Sequence, residues 1–221
     1  MQYKKFMYLW PPRPQTTIKP FSSHFEAMKK RANWIGQLKM NGQRNGLYVD
    51  PDGGIDMWNR HNTHHLNYNA QAWVIDMLKK IIAESKAIPG QWLVLDGELL
   101  HCKDKTTKNI FYFWDVLVYN GEYLIGTTYE ERHKILLDLF SAITPVSEDE
   151  GVIKVTDNFW LAKNIEPEQY DEVWKRTETS FVEGFVFKNK IGRLKPCIGM
   201  KNNPDWMVRC RKEHAGGCYK F

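Results

Sequence analysis

Three strand-length apolar runs in this chain carry ionisable residues within them, and this restricts the fold more than any other feature. Trp92 to Leu100 holds Asp96 and Glu98 inside Leu95-Asp96-Gly97-Glu98-Leu99. Val182 to Lys188 carries Glu183 near its start and Lys188 at its end. Trp206 to Arg211 carries Arg209 and Arg211. A charge inside an apolar strand is costly unless it is paired or metal-bound. Period-two alternation puts Asp96 and Glu98 on one face. By the same rule Arg209 and Arg211 share a face, with Val208 and Cys210 on the other. The fold must therefore pair these charges or supply a metal.

Turns and helices punctuate the rest. Asp50-Pro51-Asp52-Gly53-Gly54 is a strong turn signal and predicts a returning strand over Ile55 to Asn59. Strands are expected over 33–38 and 45–49, with Lys39 to Arg44 as the polar loop between them. Residues 69–88 place Ala70, Trp73, Val74, Met77, Leu78, Ile81 and Ile82 at helical spacing before Pro89-Gly90. Trp73 and Trp174 are read as core positions on their helices. Ile110 to Tyr119 reads as a strand. Thr128 and Glu131 form a capping box ahead of a helix bearing Ile135, Leu136, Leu139 and Phe140. Val152 to Thr156 predicts a short strand, and Pro167 the start of a helix with Tyr170, Val173 and Trp174. Pro11 to Pro20 reads as an extended arm. Strands dominate a mixed order, so the expected class is α+β with helices packed outside mixed or antiparallel sheets.

The 221 residues are 43% apolar and 14% aromatic, which suits a folded domain and excludes a disordered chain. No signal peptide or apolar span of membrane length is present, and four cysteines do not suggest a disulfide framework. A cytoplasmic monomer with no membrane partner is the expectation. Charge is segregated: residues 1–50 and 186–221 each carry 9 Lys/Arg against 2 Asp/Glu, whereas 51–185 carry 13 against 22. Two basic ends around an acidic middle fit a polyanionic partner if the fold brings the ends together.

Lys39 opens Lys39-Met40-Asn41-Gly42-Gln43-Arg44. A lysine attacks an electrophile only once its proton is gone, and burial beside other cations favours that loss. Gly42 would permit a tight turn and close approach of a ligand.

Taken in order, these segments resemble the covalent nucleotidyltransferase superfamily of ATP-dependent DNA ligases, RNA ligases and mRNA capping enzymes. Lys39 to Arg44 is similar to its Lys-x-(Asp/Asn)-Gly-x-Arg motif, Trp58-Asn59-Arg60 to the next, and Leu95 to Leu99 to the third. Phe111 to Leu117, with Trp114 and Asp115, resembles the following one, and Glu183 to Lys188 the fourth. The resemblance runs from Gln37 to Arg211. It implies a ligase-type nucleotidyltransferase (adenylation) domain over 1–221 with a central nucleotide cleft.

The resemblance also implies roles. Lys39 attacks the α-phosphate of ATP to form lysyl-AMP. Gln37 and Leu38 lie beside the nucleotide, Gln37 at a position that often reads the adenine edge. Arg44 and Arg60 contact ribose or phosphate, Trp114 stacks on the purine, and Lys188, Arg209 and Arg211 lie among the phosphates. Glu98 holds the ribose or a hydrated metal, and Glu183 helps position that divalent metal, Mg²⁺ or Mn²⁺. Nicked duplex DNA is the expected partner, with DNA/RNA substrates allowed. An RNA ligase, a GTP-using capping guanylyltransferase and a non-catalytic nucleic-acid-binding relative are the alternatives. Two features differ from the family. Arg209-Cys210-Arg211 stands where Lys-x-Lys is usual, leaving Lys201 or Lys212 to supply an amine. No OB-type domain follows the last motif, so the expectation is a minimal enzyme, a piece of a longer protein, or one that works with a partner protein supplying that domain. Cys197, Cys210, His214 and Cys218 make a possible zinc set, and His61, His64 and His65 are read as surface residues.

Overall fold

The computed structural model describes residues 9–61, 63–65, 68–103, 107–177, 181–196 and 202–212. Strands are Thr16–Ile18 (β1), Trp34–Met40 (β2), Gln43–Val49 (β3), Ile55–Trp58 (β4), Leu93–Leu100 (β5) and Ile110–Tyr119 (β6). Glu122–Tyr123 (β7), Ser147–Asp149 (β8), Val152–Lys154 (β9), Phe159–Ala162 (β10), Val182–Asn189 (β11) and Met207–Arg211 (β12) follow. The helices are Ser23–Lys29 (α1), Ala72–Glu84 (α2), Tyr129–Leu139 (α3) and Tyr170–Arg176 (α4), the last entered through a 3₁₀ turn at Pro167–Gln169. The α+β expectation holds. Among the described residues no helix is long and apolar enough to cross a membrane.

The strands form two sheets. The larger runs β4-β3-β5-β6-β10-β9-β8, with β7 on the end of β6, and the smaller runs β1-β12-β11-β2. β1 lies parallel to β12 and β10 parallel to β6, and the other pairs are antiparallel. The smaller sheet therefore joins the two basic ends of the chain.

Between β2 and β3 the chain crosses from one sheet to the other through Asn41 and Gly42 alone. The predicted loop over Lys39 to Arg44 is thus corrected. Lys39 lies inside β2, one residue before its end at Met40, and Arg44 lies inside β3, one residue after its start at Gln43, because each strand pairs with a neighbour across its whole length.

The helices cover the sheets. Ser22 caps α1 by accepting from the Phe25 amide, and α1 buries Phe25 and Met28. With Tyr170, Val173 and Trp174 of α4 these pack onto Phe185 and Phe187 of β11. Each large apolar side chain so buried contributes roughly 1.5–3 kcal/mol. On the larger sheet α2 buries only Val74, Leu78 and Ile81. Trp73 is 45% exposed, contrary to the core expectation, because a narrow stripe of α2 touches the sheet. The predicted capping box at Thr128 and Glu131 starts α3 as expected.

Candidate active site

A cleft of about 490 Å³ opens between the two sheets. The smaller sheet contributes Gln37 and Lys39 from β2, Glu183, Val186 and Lys188 from β11, and Met207, Arg209 and Arg211 from β12. The larger sheet contributes Gln43 and Arg44 from β3, Glu98 from β5 and Trp114 from β6.

Two β-bulges aim functional side chains into this space. In β11 the register passes from Val182 opposite Met40 directly to Gly184 opposite Lys39, so β11 holds one extra residue there. Gly184 has φ 139, and a Cβ on it would lie 2.2 Å from the Cys210 carbonyl oxygen, so only glycine fits. Simple alternation would send Glu183 to the helix-covered face with Phe185 and Phe187. The bulge instead puts it in the cleft with Val186 and Lys188. In the larger sheet Asp96 pairs with Asp115 and Gly97 with Phe113. Trp114 is the extra residue, and it too faces the cleft.

Glu183 is the anionic centre. It is buried, accepts a short hydrogen bond from Lys39 Nζ, and lies 3.5 Å from Arg211 Nε and 4.0 Å from Lys103 Nζ. The direct neighbour of the Lys39 amine is thus a carboxylate rather than the cations anticipated from sequence, because β2 and β11 pair at this point. Burial pushes the Glu98 carboxyl up from its ordinary value, opposed by Lys39, Arg44 and Lys103. Asp96, 1% exposed, accepts two hydrogen bonds from Arg44 and one from Trp114 Nε1 at 3.0 Å. Burial raises Asp96 as well, and Arg44 works against that rise. Arg44 also donates to the Pro12 carbonyl and lies 4.9 Å over the Trp114 ring. Its first task is therefore to hold Asp96 and Trp114 in place.

Two polar atoms on the wall lack partners. Gln37 is 1% exposed, and its Oε1 has no hydrogen-bond partner among the described residues. Lys188 Nζ has none either; it lies 4.5 Å from the Tyr129 ring centre and 5.7 Å from that of Trp114. Burial pushes the Lys188 amine down to about 7. Buried polar groups are normally satisfied, so such orphans point to a ligand.

The structure brings Gln37, Lys39, Arg44, Arg60, Glu98, Trp114, Glu183, Lys188, Arg209 and Arg211 to one cleft, with Arg60 exposed at its rim. Leu38 borders the cleft, but alternation turns its side chain into the core. Arg13, Gln15 and Lys103 also line it and were not anticipated. Arg13 was legible only as part of the basic opening segment. His61, exposed as expected, and the partly buried His65 also border the cleft. Lys212 donates to the Thr177 carbonyl, whereas Lys201 lies outside the described residues. Of the possible zinc set, Cys197, His214 and Cys218 lie outside the described residues. Cys210 faces the core, where burial pushes its thiol up to about 12, away from the thiolate a metal needs. Among the described residues no three His, Cys, Asp or Glu cluster as a metal site.

Mycobacterial DNA ligase D complexed with ATP and MES aligns with a TM-score of 0.61 at 19% identity, over 94% of this chain and 61% of that one. The ligase domain of M. tuberculosis LigD gives 0.61 at 20% identity, over 92% and 59%. An archaeal ATP-dependent RNA ligase gives 0.52 at 13% identity, over 91% and 48%. The chain spans about 60% of the length of the two ligase D structures. No protein-family profile and no curated protein sequence matches it. Two sheets meeting at one cleft, in an arrangement similar to all three, give this chain the nucleotidyltransferase-domain fold of ATP-dependent ligases.

Proposed function

We propose that this chain is the catalytic core of an ATP-dependent polynucleotide ligase that carries AMP on Lys39. The observation that carries the reading is Lys39, hydrogen-bonded to Glu183, in the same cleft as Glu98, the Trp114 ring and two orphaned polar groups. Lys39 Nζ attacks the α-phosphorus of ATP. A P–N bond forms, the bond to the β-phosphate oxygen breaks, and pyrophosphate leaves. Glu183, already hydrogen-bonded to the amine, is the nearest acceptor for its proton. Arg209, Arg211 and Lys188 offset phosphate charge, and Arg60 at the rim meets the incoming 5′-phosphate. Trp114 and Gln37 hold the base. The AMP then passes to a 5′-phosphate end, and a 3′-hydroxyl displaces it. The preferred substrate is nicked duplex DNA, with RNA strands accepted.

Glu98 and Glu183 face the same cleft, and the charge of Glu183 helps raise the Glu98 carboxyl, so this pair would hold a divalent cation such as Mg²⁺, which commonly takes one or two carboxylates and completes its shell with phosphate oxygens and water. It would supply charge neutralisation at the α-phosphate.

The test is incubation with α-labelled ATP or GTP, then intact-mass analysis. ATP should leave one AMP on Lys39, and Lys39→Ala and Lys39→Arg should both leave none. Label from GTP alone would remove the ligase reading in favour of guanylyl transfer. No label, with nucleic-acid affinity unchanged in Lys39→Ala, would favour a non-catalytic binding protein. Matched nicks with DNA or RNA on each side then decide the substrate.

A further inference from the structure

The orphaned oxygen of Gln37 raises the question of what fixes its amide. Either end of a glutamine amide can face a ligand, and the two ends select opposite partners. A chain of hydrogen bonds behind the cleft determines the choice. His133 Nε2 lies 2.8 Å from the backbone oxygen of Ala162, at the end of β10. That oxygen only accepts, so Nε2 carries a proton. Burial pushes His133 down to about 4, so the ring is neutral near pH 7 and Nδ1 is bare. Nδ1 therefore accepts from Asn164 Nδ2 at 3.3 Å. With its amine turned to His133, Asn164 presents Oδ1 to Gln37 Nε2 at 3.1 Å and to the Tyr129 hydroxyl at 3.2 Å. Gln37 is left with only its oxygen for the cleft, which is the atom found without a partner.

We propose that Asn164 and His133 are positioning residues that lock Gln37 as a hydrogen-bond acceptor, so that the cleft selects a base with a 6-amino donor over a 6-oxo base. The proposal rests on the nucleotide-binding reading of the cleft and deepens it by naming what sets base choice. A 6-amino group donates to Gln37 Oε1. A 6-oxo group sets two acceptors against each other, and the relay prevents the amide from turning over to relieve them.

The test is equilibrium calorimetry of ATP and inosine triphosphate on Lys39→Ala, which cannot consume either, with Asn164→Ala and Asn164→Asp added in that background. ATP should bind at least about tenfold more tightly than inosine triphosphate, the scale of one hydrogen bond gained against one acceptor left opposed. Asn164→Ala should bring the two within about threefold. Asn164→Asp should keep the preference, because its carboxylate still accepts from Gln37 and draws a proton onto His133 Nδ1, which then donates to it. Equal affinities in the parent, or an unchanged ratio in Asn164→Ala, overturn the proposal. ¹⁵N NMR of the histidines in the unsubstituted chain gives an answer that needs no folded variant. His133 must be the neutral Nε2–H tautomer, and a protonated Nδ1 overturns the relay. Absence of saturable binding by either nucleotide overturns both this proposal and the ligase reading. Selective binding without any Lys39 adduct in the unsubstituted chain supports the relay and sinks the ligase reading alone.

Discussion

A methyl group added at Gly42 would sit 2.5 Å from the backbone oxygen of Leu99, 2.6 Å from Cγ of Glu98 and 2.8 Å from Cδ2 of Leu100. Cβ atoms essentially never approach closer than 3.0 Å, so β5 and the β2–β3 connection must part by roughly half an ångström or more. Gly42 is not among the glycines with positive φ, so the cost lies in contact rather than backbone conformation. Leu99 cannot retreat freely, because it pairs with Gln43 on one side and Phe111 on the other. Overpacking of this kind costs about 1–3 kcal/mol. In a chain of this size that lowers Tm by about 2–12 °C. The larger effect is on chemistry. Glu98 is the side chain that the methyl group displaces, and a shift of about 1 Å at a reacting site can cost on the order of a hundredfold in rate. The assay is single-turnover formation of the Lys39 adduct at saturating ATP, followed by intact mass, beside a thermal melt. A rate for Gly42→Ala within twofold of the parent would refute the placement of Glu98 in the chemistry, whatever the melt shows.

Other outcomes follow from the same contacts. Trp114→Ala should weaken ATP binding by about 1–3 kcal/mol, the usual scale of base stacking, and unchanged affinity by calorimetry would remove Trp114 from the base site. Arg132 is fully buried and pairs with Asp115 at 2.8 Å. Arg132→Met should cost about 3–5 kcal/mol in urea unfolding by stranding that carboxylate, and adding Asp115→Asn should recover much of it. A loss below about 1 kcal/mol would contradict the pairing. His133 gives a pH signature. Its folded value near 4 lies below its ordinary 6.5, so between those limits the unfolded chain binds the extra proton. Stability should therefore fall as pH drops through that window, by on the order of 3 kcal/mol in all. His133→Gln should flatten that part of the profile, and equal slopes in the two chains would show that His133 is not the group responsible.

Much of the site was legible because its signals are local. Alternation in Trp206 to Arg211 is enough to put both arginines on one face, and they do share the cleft. The turn at Asp50 to Gly54 and the capping box at Thr128 depend on neighbouring residues alone, and both are present. The missed elements depend on distant partners. β1 exists because Thr16 to Ile18 pairs with Val208 to Cys210, and no propensity in a Pro-rich arm announces that. Trp73 has helical spacing but faces outward, since spacing does not say how wide a stripe the sheet covers.

By itself the sequence determined which residues could do chemistry. It placed four acids, Lys188 and two arginines on short apolar strands, put Lys39 and Arg44 in a polar segment between two of them, and made both ends of the chain basic. Only the tertiary structure decided which of them meet. A one-residue bulge beside Gly184 turns Glu183 from the helix-covered face to Lys39, and another bulge presents Trp114. Joining β1 and β2 to β11 and β12 in one sheet brings the two basic ends onto the same wall. The physical reason is that a strand's side-chain alternation is set by its own backbone, whereas register and bulges are set by the strand it pairs with. For Lys39 and Glu183 that partner lies far away along the chain.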